Sequence, residues 1–247
     1  MSNDVLILVG DRFANFSCNP EVVCLSDFAA ATRSAHATRR WICAGQGISQ
    51  HHRDIIRARF KARLPQCQAT APQSASRKAT HKRVPHNIMI SEPRRRDAAT
   101  FEADLLLDDR SAEISDHQTG QHIQGLALTE AARQTWTAVS ETYLLPPGHQ
   151  KRFVLDEISA RFLTFVFPLP ALLTLQLLEF RTTPMQSVCS VSVIVEQAGQ
   201  RAAEIRGKFR AIDERISARM EALAARKAIT GFLASMERQG DEAVTHL

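Results

Sequence analysis

The stretch Asp116–Gln134 reads DHQTGQHIQGLALTEAARQ and gathers residue types that can do acid–base and electrostatic work. Two imidazoles, His117 and His122, sit in a polar loop. Gly125 follows, where a helix is expected to begin. The first turn of a helix has unpaired N–H groups and partial positive charge, and a glycine lets a ligand approach them. A carbonyl oxygen that gains charge when attacked is stabilised at such a place. Glu130 lies about one and a half turns in, with Arg133, Gln134, Thr137 and Glu141 on its face. Leu128, Ala132, Trp136, Val139 and Tyr143 form the apolar face. One helix thus offers an oxyanion site, a base and a cation. The plain alternative is an amphipathic helix whose Glu130, Arg133 and Glu141 are simply solvated.

A metal is not expected here. His117 and His122 lie five apart beside Asp116, with no third ligand in view, whereas zinc takes three or four protein ligands. His51 and His52 read as a polar helix start. No cofactor is expected. The glycines Gly45 and Gly47 fall short of a phosphate-binding fingerprint and read as a turn.

The elements around this stretch are legible from periodicity. Strands are expected at Asp4–Gly10, Val22–Leu25 and Arg40–Ala44, with helical stretches at Asp27–His36 and Gln50–Arg63. Together these make a small α/β unit over residues 1–63. Leu64–Thr80, rich in Pro, Ser, Ala, Gln and Thr, reads as a linker. Beyond it come strands at His86–Ser91 and Thr100–Leu107. A helix at Leu126–Leu144 comes next, stopped by Pro146, Pro147 and Gly148. Four strand-like runs succeed it: Phe153–Phe167, Leu172–Arg181, Ser187–Glu196 and Arg201–Ala211. One helix amid antiparallel strands is an α+β pattern over 81–211. A C-terminal helix and tail fill 212–247, helical over Ile212–Gln239.

Composition excludes several classes. The net charge of +5 is concentrated before residue 81, since the rest has 20 cations against 21 anions. That is no dense basic stripe, so nucleic acid is not an expected partner. Five cysteines without a CxxC pair point to reduced thiols and a cytoplasmic setting. The run Val5–Val9 is short and comes after Asp4, unlike a secretory signal. Phe162–Leu178 lacks charge but holds Pro168 and Pro170 and is too short to span a bilayer. Two strands and a Pro-rich connection explain it better.

The motifs resemble a known family. The helix sequence Glu130-Ala-Ala-Arg133-Gln134 and the earlier His81-Lys82-Arg83 are similar to the A-factor biosynthesis hotdog family over roughly Thr80–Ala211. More distantly, Gly125, Glu130 and Gln134 match spacings of hotdog 3-hydroxyacyl-carrier-protein dehydratases, without the prolines of their loop. The resemblance implies a hotdog fold, a long helix wrapped by an antiparallel sheet. It implies an acyltransferase moving a β-ketoacyl group from acyl carrier protein or CoA to a hydroxyl such as that of dihydroxyacetone phosphate. His117, Glu130 and Arg133 would be catalytic; Gly125, Gln134, Asp116 and His122 would bind substrate. Those synthases carry two hotdog repeats, and this chain shows one, so a homodimer is expected; the resemblance to the dehydratases, whose His and Glu come from different subunits, implies His117 of one chain facing Glu130 of the other. A dehydratase or thioesterase of the same fold, or a non-catalytic acyl-binding module, are the alternatives.

Overall fold

The computed structural model describes residues 5–30, 41–61, 64, 72–116, 120–146 and 151–245, with positions 237–245 described by backbone alone. The chain opens with three parallel strands, β1 (Val5–Val9), β2 (Val22–Cys24) and β3 (Trp41–Ala44), in the order β2-β1-β3. Helix α1 (Leu25–Ala30) comes after β2, and α2 (Gln50–Phe60) comes after β3 behind an N-cap at Ser49. Alternating β1 side chains go to different cores. Leu6 and Leu8 pack with Ile42, Ile48 and Ile56, whereas Val9, Phe13, Val22 and Cys24 join the main core of the chain.

That shared core has a polar counterpart. Gln46, 1% exposed, donates to the Leu105 and Leu169 carbonyls and accepts from Leu107 N at 2.8 Å. Arg12 donates to the carbonyls of Asp109 (2.8 Å) and Ser115 (2.7 Å). Buried side chains that satisfy backbone groups in this way are costly to separate. Both packing and hydrogen bonds therefore join the N-terminal unit to the antiparallel part of the chain.

The described part of the expected linker is not a linker. From Pro72 on, the segment is built into the fold: Ala75 and Thr80 are buried, Ala75 N bonds the Ile90 carbonyl, and Ser74 bridges Ser91. Helix α3 (Arg77–Thr80) ends this stretch and packs on the central helix. The composition misled because Ala, Ser and Thr are as suited to close packing as to a linker. The expected strand His86–Ser91 is also not regular. Pro85–Asn87 is a 3-10 turn, and Ile90 and Ser91 make isolated bridges only. The Met89 N–H goes to the Gln134 side chain instead of a neighbouring strand.

The remaining strands form one antiparallel sheet: β4 (Arg94–Arg95), β5 (Thr100–Asp104), β6 (Lys151–Phe162), β7 (Leu172–Thr182), β8 (Gln186–Gln197) and β9 (Gln200–Asp213), in the order β4-β5-β7-β8-β9-β6. Between β5 and β6 lie the short α4 (Ala112–Ser115) and the central α5 (Gly125–Val139), which runs on as a π turn, Ser140–Leu144. α5 touches β6 through β9. Ala127, Ala131, Ala132 and Ala138 let it lie close to the sheet, and Trp136 stacks on Phe209 at 5.8 Å. A Cβ at Gly207 would come within 2.9 Å of the Trp136 ring, so glycine makes room for that contact. A helix held by an antiparallel sheet is the expected hotdog arrangement.

The C-terminal helix α6 (Glu214–Thr245) begins two residues later than the periodicity placed it, because β9 runs on to Asp213 opposite Lys151. The stretch Phe162–Leu178 falls into the end of β6, a proline-containing connection and β7. No helix among the described residues is long and apolar enough to cross a membrane.

Candidate active site

The polar face of α5 is not solvated. Segment 77–90 lies over it, so Gln134 and Thr137 are fully buried. The cover is shaped by His81, which ends α3 in the left-handed region (φ 55°) and turns the chain back across α5. His81 Nε2 then lies 2.9 Å from Glu141 Oε1, with its ring edge-on to Phe153.

Lys82 comes next and enters the centre of the cluster. Its Nζ is 2.7 Å from Glu130 Oε1 and 3.0 Å from Glu113 Oε1. Arg133 grips the same Glu130 carboxylate as a fork, Nε to Oε2 at 2.6 Å and Nη2 to Oε1 at 2.8 Å. Gln134 Nε2 donates to Glu130 Oε1 (3.0 Å) and to the Asn87 carbonyl (2.8 Å), while its oxygen accepts from Met89 N. Every hydrogen-bonding atom of the Gln134 amide is thus engaged within the protein. The structure brings together Glu130, Arg133 and Gln134 and adds Lys82 and Glu113, which sequence reasoning did not place in the site. The signal for Lys82 was the His81-Lys82-Arg83 motif, whose lysine had no visible destination in one dimension; Glu113 had no signal.

Electrostatics assign Glu130 a definite state. Burial pushes its carboxyl up, but the Arg133 fork, the Lys82 ammonium and the Gln134 amide outweigh burial and hold it at about 2. An acid that strong is a poor proton acceptor at neutral pH. It is well suited to fixing two cations. Arg133, 31% exposed, keeps guanidinium N–H groups for a second anion beyond Glu130.

The start of α5 differs from expectation. The space beside Gly125 is taken by the Phe162 ring, and an added Cβ would meet Phe162 Cζ at 2.6 Å. Around this point Leu126, Phe162, Leu163 and Phe165 are all exposed, forming an apolar surface. The His122 ring lies 4.8 Å from that of Phe165, in this apolar surround. Asp116 is exposed at the end of α4. His117 lies outside the described residues. Among the described residues, no three His, Cys, Asp or Glu side chains gather as metal ligands.

A model of the A-factor biosynthesis hotdog domain matches residues 65–213. The chain belongs to the A-factor biosynthesis hotdog family. It is thereby an acyl-thioester-processing hotdog protein. Both motifs that meet in the Lys82–Glu130 contact fall inside the matched residues, as does the segment from Pro72 that packs into the fold. No curated protein matches the chain. Solved structures with a similar fold include a thioesterase from Haemophilus influenzae, 16% identical over 55% of this chain and 85% of that one, with a TM-score of 0.38. Another is a variant of a Pseudomonas aeruginosa thioesterase, 12% identical over 50% and 81%, TM-score 0.38. A third is a phenylacetic acid degradation-related protein from Ralstonia eutropha, 19% identical over 48% and 82%, TM-score 0.35.

Proposed function

We propose that this A-factor-family hotdog protein transfers a β-ketoacyl group from an acyl carrier protein or CoA thioester to a hydroxyl, such as that of dihydroxyacetone phosphate. The observation that carries the reading is the Glu130 carboxylate clasped by both Lys82 and Arg133. Lys82 is shared between Glu130 and Glu113, so the cation left to meet a substrate anion is the part-exposed Arg133, and this supports a site that offers fixed positive charge there. An acyltransfer needs that charge twice, for a phosphorylated acceptor and for the oxyanion of the tetrahedral intermediate. The exposed apolar surface at the start of α5 supports the acyl chain lying there.

In this reading the acceptor hydroxyl gives its proton to His117. Its oxygen bonds to the thioester carbon, the C–S bond breaks, and the sulfur leaves as thiol with the proton returned by the imidazole. Glu130 takes no proton; it orients Arg133 and Lys82. Arg suits the first position because its planar fork can hold Glu130 on one edge and phosphate oxygens on another. Gln134 is a positioning residue. β6 is the last strand of its sheet, with Leu155 and Ile158 exposed. That outer edge supports pairing with a second copy, since an unpaired edge strand is a template for another strand. We place the reaction in the cytoplasm, in signal or secondary-metabolite synthesis.

The test is to incubate the protein with β-ketoacyl and 3-hydroxyacyl thioesters, with and without dihydroxyacetone phosphate, and to read the products by mass spectrometry. The expected product is the acceptor's β-ketoacyl ester, one per thiol released. Free acid alone identifies a thioesterase, an enoyl thioester a dehydratase, and binding without turnover an acyl-binding module; any of these overturns the reading.

A further inference from the structure

We propose that a cavity behind the Lys82 segment, between the N-terminal unit and the hotdog domain, binds a phosphate ester. The cavity measures about 410 Å³ and is walled by four separate stretches, 48–53, 74–77, 85–88 and 106–110. That volume lies in the range of small-molecule sites. Its lining carries Arg53, Arg77 and Arg110 with the imidazoles of His51 and His86, against a single carboxylate, Asp108. Arg110 and Asp108 neutralise each other through a two-point pair of 2.9 and 2.8 Å. The remaining charge is therefore positive.

Arg53 anchors it. The side chain is buried, and it donates to the Gly45 carbonyl at 2.8 Å and the Ile48 carbonyl at 3.1 Å. Burial lowers its pKa to about 10, which leaves it charged at neutral pH. Arg77 is exposed at the opposite wall and free to reach a ligand. The eleven-residue α2, which carries Arg53, starts at Gln50 in the same lining, so its positive end adds to the same field. One fixed cation, Arg53, and one exposed cation, Arg77, around a half-open cavity select a compact anion, and a phosphate monoester or diester fits that description.

The cavity shares its wall with the candidate active site. His86 lines the cavity, and the next residue, Asn87, gives its carbonyl to Gln134 and its side chain to Ala112 N. The cavity's preference for phosphate follows from its own lining, and the choice of the two probes rests on the transfer reaction proposed above. Two sources share the chemistry, a phosphorylated acceptor and the phosphopantetheine arm of a thioester carrier.

Titration calorimetry of the full chain distinguishes them. The probes are dihydroxyacetone phosphate and 4′-phosphopantetheine, each beside its phosphate-free counterpart. One phosphorylated probe is expected to bind and its counterpart not. The R77Q/H86Q double variant should weaken that binding at least about tenfold with unchanged thermal unfolding, because neither side chain is buried. Arg181→Gln, at an exposed cation outside the cavity lining, should keep it. Absence of binding by both phosphorylated probes at millimolar concentration overturns the proposal. So does equal affinity in the double variant, or an equal loss in Arg181→Gln.

Discussion

Lys82 Nζ stands 2.7 Å from Glu130 Oε1, so two motifs far apart in the sequence meet at one carboxylate. Arg133 holds the same group from the other side. Glu130 is thereby the hub of the cluster, and its neighbours decide its chemistry.

Acid stability reports that hub. The folded pKa of about 2 lies below the ordinary 4.5, so the pairing stabilises the fold above about pH 4.5 and is lost as pH falls through 2. At neutral pH this amounts to roughly 3 kcal/mol. Glu130→Gln should lower the melting temperature at pH 7 and show a smaller further loss between pH 4.5 and 2.5 than the wild type. Parallel pH dependences in the two proteins would mean that the pairing contributes nothing to acid stability.

Arg133 tests the fork. Arg133→Lys keeps the charge but loses the two-point geometry toward Glu130. We expect kcat/KM for the transfer to fall about 10²-fold in Arg133→Ala and nearly as far in Arg133→Lys. Steady-state kinetics over acceptor concentration checks this; near-wild-type activity in Arg133→Lys would leave charge alone as the requirement.

Asp109 behaves in the opposite sense to Glu130. Its Oδ1 is buried against Gly10 and Gly47 without a hydrogen-bond partner among the described residues. Burial raises its pKa to about 6, more than Arg12 N and Asp11 N lower it. The folded state therefore favours the protonated acid, and stability is lost as pH rises through 6. Asp109→Asn should stabilise the protein by about 1–3 kcal/mol at pH 8, the gain vanishing near pH 4. Denaturant melts at the two pH values decide it; a destabilised Asp109→Asn at pH 8 contradicts the reading.

The β6 edge predicts assembly. Ile158→Lys should convert a homodimer to a monomer, measured by sedimentation. If His117 and Glu130 act across that interface, co-expressed His117→Ala and Glu130→Gln chains should recover up to about half the activity per mixed dimer. No recovery in a verified mixed dimer would place both groups within one chain.

Much of this architecture was legible in the residues. The apolar alternation of β7 through β9 and the Gly125-to-Leu144 helix come from local periodicity, and Glu130, Arg133 and Gln134 from their spacing on that helix. The illegible part depends on contacts between distant segments. The alternative of a solvated polar face on α5 stayed open because nothing local announces that segment 77–90 will cover it. Met89 joins no strand, and Gln134, not a backbone carbonyl, takes its N–H. Gly125 invited a ligand in one dimension, whereas Phe162 from the far end of β6 fills that space. The basicity of Glu130 could not be read at all without the position of Lys82.

The role of Glu130 is tested most directly by the pH profile of kcat/KM for β-ketoacyl transfer in wild type and Glu130→Gln. An imidazole base gives an acid limb near its ordinary pKa of about 6.5, whereas a carboxylate held at about 2 gives none in that range. Glu130→Gln is expected to lose rate by about tenfold or more while the acid limb stays where it was. An acid limb that disappears or moves with the loss of Glu130 would make Glu130 the proton acceptor and contradict its role as the anchor of Lys82 and Arg133.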